Sequence, residues 1–180
     1  MRLLPRLLCS APLLCVAPLL FVAEPAHAGK LEAGWRGIPY GDPSVLNTPP
    51  TAECLSLPET GARWSCPETV GGEPVMVHYV VDENLYAGVL IECKSYTACR
   101  ALFDTVTMAW KVPFRPEIEG DTSLLADGIF NMAGAKDGVV ASWTYNRFTF
   151  SGQLVTADMK VGHEQKRRRL ERAAAAAESI

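Results

Sequence analysis

The chain has 180 residues, 48% of them apolar, with 17 basic and 20 acidic side chains, a net charge of −3 and 6 cysteines. A slightly acidic balance lacks the basic face that phosphate neutralisation requires, which argues against nucleic acid as the main partner. Length and composition fit one ordinary folded domain rather than an array of domains.

Residues 1–28 read as an export signal that is cleaved. Arg2 and Arg6 precede an apolar run over 7–22, and Ala26-His27-Ala28 is a small-x-small site that predicts cleavage before Gly29. The run falls short of the roughly 20 residues of a membrane span, and Pro12 and Pro18 interrupt it. Cys9 and Cys15 each follow a leucine, not the small residue of a lipoprotein signal. No later apolar stretch approaches spanning length, so the processed chain is expected to have no transmembrane segment and to be periplasmic or secreted.

Processing leaves 15 basic and 19 acidic residues. Lys166, Arg167, Arg168, Arg169 and Arg172 crowd near the C-terminus, so the body before His163 keeps 10 basic and 16 acidic residues. Cys54, Cys66, Cys93 and Cys99 remain, an even number in an oxidising compartment, and read as two disulfides. Of the three pairings, Cys54 with Cys66 and Cys93 with Cys99 are favoured, because each pair is close in sequence and flanks a turn. Closing the first loop is worth about 3 kcal/mol in the chain-entropy account. A four-thiolate zinc site is disfavoured, since neither pair has the spacing of a zinc knuckle.

In chain order, residues 29–74 are rich in Pro, Gly, Thr and Glu and show no sustained period. Trp35 to Tyr40 allows a short strand, Asp42 and Pro43 a turn, and Pro49-Pro50 stops anything longer. Residues 75–92 predict a hairpin around Asp82-Glu83-Asn84, pairing Val81 with Leu85, Tyr79 with Ala87, Val77 with Val89 and Val75 with Ile91 on one core face. Tyr86 falls on the opposite face, with His78. A helix follows over 95–111, with Ser95 as N-cap and Cys99, Leu102, Phe103, Val106, Ala109 and Trp110 at helical steps. Pro113 ends it, and 112–122 is a loop. Strands are expected over 128–132, 139–145 and 148–159, with a turn at Lys136-Asp137-Gly138. A two-residue loop at Asn146-Arg147 sets Tyr145 opposite Phe148 and Trp143 opposite Phe150, an aromatic ladder that is either packed under the helix or a candidate binding surface. Residues 163–180 form a basic, Ala-rich helical tail with little apolar stripe, expected to fray or project.

Chemistry is sparse. His78 has no sequence cue to a nucleophile, and His163 lies in the tail. Glu117, Glu119 and Asp121 alternate around Gly120 without the order of a calcium loop. No phosphate loop, G-x-S-x-G or H-E-x-x-H motif is present. No catalytic residue, metal or cofactor is assigned. The five tail cations are a candidate for weak contact with an anionic surface.

Gly37-Ile38-Pro39-Tyr40-Gly41-Asp42, followed by the hairpin, a helix ending near Trp110 and a late strand with Trp143, resembles a loose group of small exported proteobacterial domains that open on a G-I-x-aromatic-G motif. The resemblance implies an α+β fold of helix on antiparallel sheet, similar to small outer-membrane assembly lipoproteins and β-lactamase-inhibitor-like domains, and implies no catalytic residues. Pro43 and Pro49-Pro50 depart from the group, where a longer amphipathic helix follows the glycine.

The sequence therefore predicts a signal peptide over 1–28, a single disulfide-stapled α+β domain over 29–162 with one main helix on an antiparallel sheet, and a helical tail over 163–180. The expected role is non-enzymatic, a binding or accessory protein with a protein or cell-envelope partner. The alternative is a small exported hydrolase, or an inhibitor of an envelope enzyme. The cysteine reading has a direct check by intact mass. Native protein should take up no alkylating reagent, and reduced protein should take up four equivalents; uptake before reduction contradicts it.

Overall fold

The computed structural model describes residues 34–57, 62–116 and 128–178. Residues 1–28, expected to be an export signal, and Glu117, Glu119 and Asp121 lie outside them. The first half contains β1 (Leu55–Ser56), β2 (Ala62–Val70), β3 (Glu73–Asp82) and β4 (Leu85–Cys93), then α1 (Tyr96–Asp104). The second half contains β5 (Arg115–Pro116), β6 (Ile129–Lys136), β7 (Val139–Asn146) and β8 (Ser151–Asp158), then α2 (Met159–Glu178). One antiparallel sheet runs β1-β2-β3-β4-β8-β7-β6-β5. Each half is thus a meander that begins on a two-residue outer strand and ends in a helix, and the halves join where β4 pairs with β8. The fold is α+β, and both favoured disulfides, Cys54–Cys66 and Cys93–Cys99, are present.

Period two builds the core. Cys66, Val77, Tyr79, Val89, Ile91, Cys93, Leu154, Trp143, Ala141 and Val139 are buried in one cluster, which Ala98, Cys99 and Leu102 of α1 and Val106 also enter. Ser95 caps α1 as expected, its hydroxyl accepting from the Ala98 N–H at 3.1 Å. The helical path changes after Asp104 into a π turn over Thr105–Ala109, where the predicted helix was continuous. Thr105 and Thr107 donate to the carbonyls of Ala101 and Phe103, each at 2.8 Å. Such back-bonding bends helices.

The β3–β4 register differs from the expected one. Glu83 and Asn84 form a two-residue turn with φ of 54° and 57°, and Asp82 pairs with Leu85. A bulge between Val80 and Val81 then sets Tyr79 opposite Val89 and Val77 opposite Ile91. The two-residue shift keeps those side chains on the core face, because alternation has period two. Beyond the bulge the faces exchange, and Tyr86 is fully buried rather than on the opposite side.

The β7–β8 register is also corrected. The Asn146 side chain accepts from the N–H groups of Phe148 (2.9 Å) and Thr149 (3.1 Å), widening the expected two-residue turn into a loop over 147–150. Asn146 pairs with Ser151, Tyr145 with Gly152 and Trp143 with Leu154, so β8 starts at Ser151 and the four-aromatic ladder does not form. β6 continues four residues past the predicted end, to the Asp137-Gly138 turn. β2 is a nine-residue strand in a stretch with no evident period.

α2 begins at Met159, and its middle rests on the β3–β4 turn. Gln165 donates to the Asp82 carbonyl at 3.2 Å and Arg168 to the Glu83 carbonyl at 3.1 Å. Arg169 pairs with Asp82, and Arg169 and Arg172 with the nearly buried Glu83 carboxylate. The basic helix is docked on an acidic turn over this stretch, instead of projecting throughout; after Arg172 its described side chains are exposed. Among the described residues no helix is long and apolar enough to cross a membrane.

The first third is held by buried polar groups. The Glu68 carboxylate accepts from Trp35 Nε1 (3.0 Å) and the Tyr79 hydroxyl (2.9 Å) and pairs with Arg36 Nε at 2.5 Å. The Tyr40 hydroxyl is hydrogen-bonded to Thr156 Oγ1 at 2.7 Å, and the Tyr40 and Tyr79 rings flank Tyr86 at 5.4 and 5.8 Å. Burial pushes the Tyr40 phenol from 10.0 up to about 12 and raises Tyr79 and Tyr86 as well. Below pH 10 the folded and unfolded chains both keep these protons. Above it the unfolded chain releases them first, so stability falls as pH rises. The urea midpoint should drop between about pH 9 and pH 11, by at least about 1 kcal/mol in stability, and phenolate absorbance from these rings should appear with unfolding. A flat midpoint contradicts the buried network.

Candidate functional site

The strongest surface feature is an aromatic groove between α1 and the β6–β7 pair. On α1, Tyr96, Arg100 and Phe103 recur at helical steps and share a side with Cys99. On β7, Trp143 and Tyr145 are two residues apart on the core face, and register places Met132 and Phe130 of β6 opposite them. These eight residues line a depression of about 230 Å³. Trp143 is 4% exposed and forms the floor, 5.6 Å from the Phe103 ring and stacked on Tyr145 at 6.3 Å. Phe103 is backed by Phe114, stacked at 5.8 Å. At the rim, Arg100 Nε donates to Asp104 Oδ2 at 2.8 Å.

The β7–β8 loop stands at one end of this groove. Tyr96, Phe148 and Phe150 are 56%, 62% and 51% exposed, and they are the largely exposed aromatic side chains among the described residues. Tyr96 meets Phe150 edge to face at 6.4 Å, which joins loop and groove. Phe148 is fixed although exposed. Its ring lies against Gly128, where a Cβ would come within 2.5 Å of it, and the Arg147 guanidinium sits over it at 4.9 Å.

The four aromatic residues marked in the sequence therefore separate by role. Trp143 and Tyr145 belong to the groove, whereas Phe148 and Phe150 form a knob beside it. Tyr96, Phe103, Phe130 and Met132 were missed as site residues. Phe103 carried only the signal of a helical apolar stripe, and only the tertiary fold shows that it borders solvent-accessible space.

The other candidates assemble less. His78 Nε2 is 3.8 Å from Glu92 Oε2, and Gln153 donates to Glu92 Oε1 at 3.3 Å. Ser65 lies opposite His78 in register but makes no hydrogen bond to it. His163 is on exposed α2. Near His78 and Glu92, a depression of about 700 Å³ is bordered by Arg36 and Lys94 and by Glu53, Glu68 and Glu92, a mixed charge set in which Glu68 is already paired with Arg36. Among the described residues no group of three His, Cys, Asp or Glu side chains is placed to hold a metal. Four of the five tail cations are engaged within the protein, Arg167 with Glu164 and Glu171, Arg168 with Glu164, and Arg169 and Arg172 with the β3–β4 turn.

Fold and surface together define a disulfide-stapled antiparallel α+β protein that presents a fixed aromatic surface. The chain matches no protein-family model, no curated protein and no solved structure.

Floor and knob should respond differently to truncation. Trp143→Ala should cost about 3–5 kcal/mol, whereas Phe148→Ser should change stability by no more than about 0.5 kcal/mol, both read from urea unfolding. Equal costs contradict the division into floor and knob.

Proposed function

We propose that the protein is an exported, non-enzymatic binding or accessory protein that docks on a protein partner of the cell envelope through the aromatic groove. The observation that carries this reading is the set of five aromatic rings and Met132 around a solvent-open depression. Aromatic residues and Met are enriched at protein interfaces, and buried aromatic anchors dominate binding energy there. A cavity of about 150 Å³ admits benzene, so a depression of about 230 Å³ has room for one large apolar side chain of a partner. Two intramolecular disulfides are compatible with an oxidising, extracytoplasmic location and support the export reading. Inhibition of an envelope enzyme is one form that such docking takes.

The test is a photocrosslinking amino acid at position 96 in cells, with exposed Ser44 as the control position. A discrete adduct with one envelope protein from position 96, weakened by Phe103→Ala and absent from position 44, is expected. Identical adducts from both positions, or recovery of the protein in the cytoplasmic fraction with its signal intact, contradict the proposal.

A further inference from the structure

We infer that the β7–β8 loop, which adjoins the groove at Tyr96, is a second contact that seats the protein on an anionic lipid bilayer. Phe148 and Phe150 are each more than half exposed on the loop over 147–150, and a pair of exposed apolar rings fits an interfacial lipid layer, whereas a groove receives a side chain. The loop is held ready in this exposed form. Asn146 fixes the backbone at Phe148 and Thr149, Thr149 Oγ1 is 2.7 Å from Ser151 Oγ, and Gly128 seats the Phe148 ring. Presenting two rings to water in a fixed geometry has no return inside the fold, since neither belongs to the core cluster.

Charge supplies the preference for anionic lipid. Arg147 is on the loop, and Lys94 lines the same depression as Asn146 and Ser151 at the loop's base, where the acid present, Glu92, is engaged by Gln153 and lies 3.8 Å from His78. Neither cation is in an ion pair among the described residues, in contrast to Arg36, Arg100, Arg167, Arg168, Arg169 and Arg172. Tyr96, beside Phe150, adds an aromatic ring with a polar tip, the type enriched at bilayer interfaces. Two free cations around three exposed rings make a shallow interfacial anchor at this pole, while Arg167, Arg168, Arg169 and Arg172 of α2 are spent on internal pairs.

The experiment is flotation of the processed protein with vesicles of phosphatidylcholine alone and of phosphatidylcholine mixed with phosphatidylglycerol, at low salt. Wild type should float with the anionic vesicles and much less with the neutral ones. Phe148→Ser with Phe150→Ser should lower the bound fraction about tenfold or more with the melting curve unchanged; if that double variant melted early, single Phe148→Ser would replace it, with a smaller loss in the same direction. Lys94→Gln with Arg147→Gln should remove the preference for anionic vesicles. Lys166→Gln with Arg167→Gln on α2 should leave binding within about twofold of wild type. Failure of wild type to float, or equal flotation of the double phenylalanine variant, overturns the inference. So does a double phenylalanine variant that floats normally but loses the position 96 crosslink, which would assign the rings to a protein partner. Flotation without any position 96 adduct would leave this inference standing and overturn the groove reading alone.

Discussion

The pairing of β4 with β8 is the constraint on which the rest of the structure depends. Gly88 to Cys93 of one meander runs antiparallel to Ala157 to Gly152 of the other, with Ile91 opposite Leu154 and Val89 opposite Thr156. The approach is close enough that a Cβ on Gly88 would lie 1.9 Å from the Thr156 carbonyl oxygen, so this position must be glycine for the strands to meet as they do. α1 leaves the end of β4 and the aromatic loop precedes the start of β8. Joining these two strands therefore brings Tyr96 to Phe150, and Phe103 to Trp143. The Cys93–Cys99 disulfide fixes the path from β4 into α1, holding one wall of the groove relative to the central strands.

The aromatic side chains are distributed with a physical logic. Tyr79 and Tyr86 are within the core, where Tyr79 has a hydrogen-bonding partner in Glu68, and burial there stabilises the fold. Trp143 is almost as deep, yet it forms the floor of a depression rather than a filled interior. Phe148 and Phe150 contribute nothing to the core cluster. An exposed ring pinned by an Asx turn, a glycine and a guanidinium is ordered before any partner arrives, so docking through it requires little further ordering. The exposed rings of the β7–β8 loop are thus the part of the aromatic inventory that folding does not consume.

What the sequence made legible was local. Ser95 reads as a cap because a hydroxyl three residues before an amide can satisfy it, and the two disulfides read from pairs close in sequence in a chain expected to be exported. The core face of the β3–β4 hairpin was visible in the alternation of Val75, Val77, Tyr79, Val89 and Ile91. The register was not. A bulge between Val80 and Val81 changes the pairing without changing which residues lie in the strands, and an Asx turn at Asn146 takes Phe148 and Phe150 out of β8 into the loop. β2 was hidden because Glu68 faces the core side to receive Trp35 and Tyr79, and because Pro67 within it reads against a strand. The docking of α2 rests on arginines meeting a turn more than eighty residues away, and the groove draws on α1, β6 and β7. Neither has a signature within one sequence window.

Native-state hydrogen exchange across a urea series tests the central claim most directly, because it reports whether the two meanders open as one unit. The account predicts that amides of β4 over 88–93 and of β8 over 152–157 form a single slowest-exchanging set, opening at the free energy of global unfolding. Earlier, independent exchange of β8 together with β6 and β7, while β2 to β4 stay protected, would contradict it.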